Sequence, residues 1–409
     1  MVITLPRRAL FLVSFLLLLR AAKAANNFMV PGNDTGISFP NGLLGNWYDV
    51  YADRAKDVFL LLTSTGIYQM DFARTTIVAS SAFGCCVGND PTGRRFYTDI
   101  ANNTDYIYVT PDFTAPYHVY RFTITDVTTP TVYNLTRIAN PYQMALDPSR
   151  NLGFAVAQGN QYVEIFDLLT MSFVTTFNYT QGKYPWFDSS LPGGWGIALD
   201  STRGLLYVGV DCDSPTPGIV WQYTIANLSH IAYVDNAVWG SEPCFNLGFV
   251  EVADGRAWFF EDDAGWIGGF DRTDLSWGSD YSVATVSLLR SLEYDPSLHT
   301  AYFLDHGANG VPTYTGQVFR GCLLDPGNIV HEVVPWQKYG RTDDLCGSYL
   351  DTSMGVLYAV SCSAAVYTIS ITNGTDCPQM PRAVPACPSS AAALGNALLS
   401  VWAFFFPNL

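Results

Sequence analysis

Hydrophobic and polar positions alternate along most of this chain in short runs, broken by turns rich in Asp, Gly, Asn and Pro. One stretch reads "YQMAL", "LGFAVA", "YVEIFDL" and "FVTTFNY" in succession, and the next repeats the scheme as "WGIAL", "LLYVGV", "GIVWQYTI" and "HIAYVD". A later copy gives "SLEY", "TAYFLD", "GQVFRGC" and "HEVV". Alternation with a period of two, bounded by turn residues, predicts β-strands. Beyond the N-terminal segment no convincing helical periodicity competes with it.

The turns repeat more faithfully than the strands. "DPSRNLGFAVA" from Asp147, "DSTRGLLYVGV" from Asp200, "DPSLHTAYFLD" from Asp295 and "DTSMGVLYAVS" from Asp351 align without gaps. Each has Asp, then Ser or Thr two places on (Ser149, Thr202, Ser297, Ser353), then an aromatic residue five further on (Phe154, Tyr207, Tyr302, Tyr358). Asp and Ser/Thr side chains can bond the backbone of a tight turn, and the aromatic then fills the buried face of the outgoing strand. Looser copies begin at Asp53, Asp99 and Asp254, making seven anchors spaced on average about 50 residues apart, a period that suits propeller blades or solenoid units.

Four short strands per interval select the blade. The expected fold is therefore all-β, a seven-bladed β-propeller of four-stranded antiparallel blades, forming a single domain over residues 25–376. After "AVYTISI" the chain enters "NGTDCPQMPRAVPACP", which is poor strand material. The missing outer strand is expected from "TGISFP", Thr35–Pro40, so that the first segment pairs with the last. This closure, and the D-x-[ST]…[YF] turn-strand unit, resemble extracellular propellers of the NHL and YVTN repeat type over residues 37–371. Members of that superfamily do many jobs, so the resemblance implies a fold and no particular activity.

Composition adds a core and an address. Of the 409 residues 49% are apolar and 14% aromatic, ample for one large β domain. The N-terminus combines Arg7 and Arg8, an apolar run from Ala9 to Leu19 and the pattern Ala22-x-Ala24, which reads as a secretory signal peptide over residues 1–24. Removing it leaves 17 basic against 36 acidic groups, a net charge of −19 that repels nucleic acid and anionic lipid. Sequons at Asn33, Asn102, Asn134, Asn178, Asn227 and Asn373 fit a glycosylated extracellular chain. Nine cysteines without zinc-type spacing read as disulfide partners, with Cys212–Cys244 and Cys377–Cys387 the expected pairs and one cysteine left over. Residues 377–390 form a Pro- and Cys-containing linker, and the apolar tail 391–409 resembles a GPI-attachment signal, a plain membrane anchor being the alternative. The expected location is the cell surface, by either anchor, or the medium.

Candidate chemistry concentrates on loops joining second to third strands. Asp211, Asp213, Glu261 and Asp263 place carboxylates on one rim of the expected ring, with His306 beside them. Converging oxygens of this kind would hold calcium, and His306 would act as base in a calcium-dependent lactone or ester hydrolase. The plainer account is that an acidic secreted protein carries carboxylates on its turns for solubility. Trp186, Trp195 and Trp266 lie on the same rim and suit contacts to an extracellular protein or carbohydrate ligand. No G-x-S-x-G, H-E-x-x-H or phosphate-cradling glycine loop occurs. A ligand- or partner-binding surface protein is the preferred reading, and whether it is an enzyme stays open.

Overall fold

The computed structural model describes residues 29–31, 46–73, 76–82, 96–98, 105–110, 116–157, 160–179, 194–210, 219–235, 247–253, 256–261, 266–272, 274–275, 277–282, 289–295, 297–298, 300–305, 317–322, 345–362 and 365–371. Among them every regular element is a strand, and no helix is long and apolar enough to cross a membrane.

After a three-residue strand β1 (Met29–Pro31), the chain forms seven antiparallel sheets in sequence order. The first sheet holds β2 (Trp47–Asp53), β3 (Val58–Thr63), β4 (Gly66–Met70) and β5 (Ile77–Ala82). The second holds β6 (Tyr97–Thr98), β7 (Tyr106–Val109), β8 (Tyr117–Thr123) and β9 (Asp126–Leu135). The third is β10 (Pro141–Asp147), β11 (Leu152–Ala157), β12 (Tyr162–Asp167) and β13 (Ser172–Asn178). The fourth is β14 (Gly194–Asp200), β15 (Leu205–Val210), β16 (Ile219–Thr224) and β17 (His230–Asp235). Next come β18 (Leu247–Ala253), β19 (Arg256–Glu261), β20 (Trp266–Asp271) and β21 (Trp277–Ser282). The sixth sheet has three described strands, β22 (Leu289–Asp295), β23 (Thr300–Asp305) and β24 (Gln317–Cys322); the expected strand "HEVV" lies outside the described residues. The last sheet is β25 (Leu345–Asp351), β26 (Val356–Ser361) and β27 (Ala365–Ile371), completed by β1.

The expected exchange of strands between the two ends of the chain therefore takes place, but through a different segment. Met29 pairs with Ile371, Val30 with Ser370 and Pro31 with Ile369. Thr35–Pro40 lies outside the described residues. A proline is tolerated in β1 because an edge strand has a ladder partner on one side only.

The repeated turn is built as its residues require. Ser149, Thr202, Ser297 and Ser353 each donate a hydroxyl to Oδ1 of the Asp two places before, at 2.5, 2.5, 2.6 and 2.6 Å. The backbone N–H of the next residue (Arg150, Arg203, Leu298, Met354) reaches the same oxygen at 3.1–3.3 Å. Asp53 makes the equivalent backbone bond from Lys56. One place further the chain must turn left-handed, with φ of 59° at Asn151, 68° at Gly204, 62° at Gly355 and 54° at Asp57. Gly, Asn and Asp tolerate that region best, which accounts for the residue types at this position. The aromatic that follows is then delivered inward: Phe154, Tyr207, Tyr302 and Tyr358 are all buried.

A second turn also recurs, between third and fourth strands, without a shared side-chain signature. Met171, Leu228 and Leu275 have φ of 50–57°, and their N–H groups bond the carbonyls of Asp167, Thr224 and Asp271 at 2.9–3.0 Å. Met171 and Leu275 are buried in apolar clusters, which compensates a strained bulky residue in the left-handed region.

The core consists of interfaces between successive sheets. Leu60, Leu62 and Ile67 of the first sheet meet Ile107, Val109 and Phe122 of the second. Tyr108, Val119 and Tyr133 of the second pack with Met144, Ala155 and Phe166 of the third. The third and fourth share Phe154, Val163, Leu206 and Trp221, and the fourth and fifth share Tyr207, Val220, Ala257 and Phe270. Tyr302, Leu304 and Val318 of the sixth pack on Leu357 and Tyr367 of the last. Val50, Phe59 and Leu61 of the first sheet then meet Tyr358, Val360 and Val366 of the last. Cys346 and Cys362 form a disulfide across β25 and the end of β26, with Cα atoms 5.2 Å apart. The expected partners Cys212, Cys244, Cys377 and Cys387 lie outside the described residues.

Candidate functional site

The first strands of the sheets carry the polar groups that face one another, and they share a detail of register. In β2, β10, β14, β18, β22 and β25 the pairing with the second strand slips near the beginning, at 47/49, 141/143, 194/196, 247/250, 289/291 and 345/347. Such a bulge re-aims the side chains that follow it. After the slip come Asp49, Gln143 and Ser291, and each one reaches the neighbouring sheet. Asp49 accepts from the N–H of Val50 at 2.9 Å and from that of Phe96, just before β6, at 2.7 Å. Gln143 Oε1 accepts from Ile197 N–H in β14 at 2.8 Å. Ser291 Oγ bonds Ser348 Oγ in β25, and Ser348 Oγ donates to Glu293 Oε1 at 3.1 Å. Buried polar groups must be paired, and here the pairing ties sheet to sheet.

Around β2, β22 and β25 these strands enclose a cavity of about 310 Å³. Its walls include Asp49 and Tyr51 from β2, Glu293 from β22, Ser348 and Tyr349 from β25, and Phe96 just before β6. Gly347 permits the approach, since a Cβ there would lie 2.2 Å from the Tyr48 carbonyl oxygen and 2.9 Å from Asp49 Oδ1. Thr352, in the turn after Asp351, also lines the cavity, so it extends toward the ends of the sheets that carry the repeated Asp turns.

The rings of Tyr51 and Tyr349 lie 5.0 Å apart at 56°. Burial pushes the Tyr51 hydroxyl up to about 12, helped by Asp53 and opposed by Lys56. The Tyr349 hydroxyl is pushed well above its ordinary range, by burial first and then by Tyr51, Asp351, Glu293 and Asp53. Lys56, the nearby cation, is engaged with Asp53 at 3.1 Å and Asp105 at 3.2 Å. Among the described residues that line the cavity none is Lys, Arg or His. The described part of the site thus presents tyrosine rings, the carboxylates of Asp49 and Glu293 and the Ser348 hydroxyl.

None of the residues singled out from sequence is among the described residues that line the cavity. Trp186, Asp211, Asp213, Asp263 and His306 lie outside the described residues. The backbones of Trp195, Glu261 and Trp266 belong to β14, β19 and β20, while their side chains are outside the described set. Glu261 ends β19 opposite Leu247, at the end of its sheet away from the Asp turns. Among the described residues no group of three or more His, Cys, Asp or Glu side chains could hold a metal ion. Sequence reading missed Asp49, Glu293, Ser348 and the tyrosine pair, because residues about 240 to 300 positions apart form no local motif.

No family model matches the chain, and no curated protein matches its sequence. Among solved structures it is similar to the crystal structure of Chaetomium thermophilum Raptor, with a TM-score of 0.58 at 9% identity. The overlap covers 86% of this chain and 30% of that one, so this chain spans less than a third of its neighbour's length. At such identity the likeness concerns fold alone, and it agrees with an all-β arrangement of antiparallel sheets.

Proposed function

We propose that the chain is a seven-bladed β-propeller of the secretory pathway, glycosylated and held at the cell surface or released, that works as a binding module. The propeller reading is supported by the succession of seven sheets, by neighbouring first strands from β6 through β25, and by the apolar contact of the first sheet with the last. The described sequons fit the address. Asn134 is exposed on β9, Asn227 is exposed in the turn before β17, and Asn178 ends β13. All three lie on or beside the last strand of a sheet, the perimeter of a propeller, where glycans leave the centre open.

The observation that carries the binding role is the cavity walled by β2, β22 and β25, strands from the two ends of the chain that meet around one polar pocket. Its volume is at the small end of ligand sites, roughly 300–1,000 Å³. Trp186, Trp195 and Trp266, expected from the sequence on one rim, are the proposed second contact surface for a larger extracellular protein or carbohydrate. The test is a thermal-shift screen of the purified full chain against a library of neutral, cationic and anionic small molecules. A ligand at a hundredfold its Kd stabilises by about 2.7 kcal/mol, a shift of several degrees. The expected result is at least one ligand whose stabilisation disappears in Ser348→Trp, which fills the cavity. A library whose every hit acts equally on Ser348→Trp refutes the pocket as the binding site.

A further inference from the structure

We infer that the glycans at Asn134 and Asn178 pack their first sugars onto rings of the protein, His118 and Tyr162, an inference that rests on the glycosylated, secretory reading above. Register carries it. Asn134 on β9 lies directly opposite His118 on β8, and Asn178 on β13 lies directly opposite Tyr162 on β12. The two pairs occupy equivalent places: His118 stands three residues before Arg121, the partner of Tyr108, and Tyr162 three residues before Ile165, the partner of Phe154. A sequon thus falls twice at the same structural position, and both times the residue facing the asparagine is a ring. Directly opposed side chains share one face of the sheet with Cβ atoms about 4.5–5.5 Å apart, within reach of an N-acetylglucosamine linked to the asparagine amide.

The rings are accessible. Tyr162 is 40% exposed, and the half-buried His118 meets Tyr120 in a T-shaped contact with centroids 5.7 Å apart. Val132, exposed and opposite Tyr120, extends the surface on the Asn134 side. The C–H-rich face of a pyranose covers such apolar surface while its hydroxyls stay hydrated. Both platforms turn toward the preceding sheet: Tyr162 shares a face with Glu164, which binds Tyr133 of the second sheet, and His118 shares one with Tyr120, which packs on the cluster shared with the first. Each docked sugar therefore borders a seam between sheets. Asn227 supplies the contrast. It lies in the turn before β17, outside the paired register of β16 and β17, and its Oδ1 accepts from Thr224 Oγ1 and from the Ser229 N–H.

The experiment uses the full chain purified from glycosylating, secreting cells, with occupancy verified by glycopeptide mass spectrometry. Each sequon is removed through its third residue, by Thr136→Ala, Thr180→Ala or Ser229→Ala, and each ring by His118→Ala or Tyr162→Ala, with leucine in its place should alanine prevent folding. Thr136→Ala and Thr180→Ala are each expected to lower the melting midpoint by about 1–3 °C, a loss that vanishes when the facing ring is already gone. The effect of Ser229→Ala is the same in every ring background. Trimming the glycans enzymatically to one N-acetylglucosamine keeps the shift. In proton NMR the acetyl and anomeric signals of the two first sugars lie upfield of those on Asn227, through ring currents, and move back when the facing ring is removed. Occupied sequons whose removal costs the same with and without the ring, or sugar signals unchanged by its loss, overturn the docking while leaving the glycosylated reading standing. An empty Asn134 or Asn178 overturns the docking at that site, and empty sequons throughout overturn both.

Discussion

Glu164 offers a sharp quantitative test of how the sheets are tied together. It is fully buried in β12, yet its carboxylate serves the neighbouring sheet: Tyr133 on β9 donates its hydroxyl to Oε1, and the N–H groups of Thr136 and Arg137 bond Oε1 and Oε2 at 3.2 and 2.8 Å. Replacing Glu164 by alanine removes three charge-assisted hydrogen bonds, each worth about 1.5–3 kcal/mol when the donor has no substitute. Thr136 and Arg137 are exposed, so water replaces the carboxylate for their N–H groups. Tyr133 is 6% exposed and its hydroxyl is left unsatisfied, at about 1–3 kcal/mol. Adding lost packing of the one methylene that alanine lacks, at about 0.8 kcal/mol, the expected loss is about 2–4 kcal/mol. The assay is urea denaturation followed by tryptophan fluorescence on wild type, Glu164→Ala, Tyr133→Phe and the double variant. Tyr133→Phe should be nearly neutral in the Glu164→Ala background, giving a coupling energy of about 1.5–3 kcal/mol. A loss below about 1 kcal/mol, or additive single effects, refutes the idea that this carboxylate joins the second and third sheets.

Three other consequences are open to measurement. Tyr51 and Tyr302 are both pushed up to about 12, chiefly by burial; because the unfolded phenols ionise first, near pH 10, their contribution to stability is complete below that pH and is lost as pH rises toward 12. Absorbance at 295 nm should therefore show tyrosines that ionise together with alkaline unfolding, and a smooth titration of every tyrosine near pH 10 contradicts the burial. Replacing Cys346 and Cys362 by serine opens a link of sequence separation 16 and is expected to lower stability by about 3 kcal/mol in denaturant titrations; an unchanged midpoint, or a peptide map that pairs either cysteine elsewhere, counts against that bond. Glycopeptide mass spectrometry should find Asn134 and Asn227 occupied, and unmodified sequons in protein from secreting cells count against the extracellular reading.

How much of this was readable in the chain depends on where the physics is local. The Asp–Ser/Thr turn is a contact within four residues, so its hydrogen bonds, its left-handed fifth position and the buried aromatic that follows are all written in one short string. The links between first strands are different. Asp49, Gln143 and Ser291 occupy equivalent places but use a carboxylate, an amide and a hydroxyl, so no shared letter marks the position. The bulges that aim them are a property of pairing. Closure by Met29–Pro31 was hidden because three residues with a proline carry almost no strand signal, whereas "TGISFP" has the better pattern. The cavity depends on β2 meeting β22 and β25 across most of the chain length, and no reading of neighbours along the sequence could assemble it.

The pairing of β1 with β27 is the most exposed consequence of the proposed ring. In a Val30→Cys/Ser370→Cys variant, two residues that face each other across β1 and β27 become cysteines. A non-reducing peptide map of the purified full chain should contain the 30–370 linked peptide in most molecules, with a melting midpoint above that of either single variant. Two free thiols at these positions, with an unchanged midpoint, would contradict a closed ring and remove the geometric basis of the pocket.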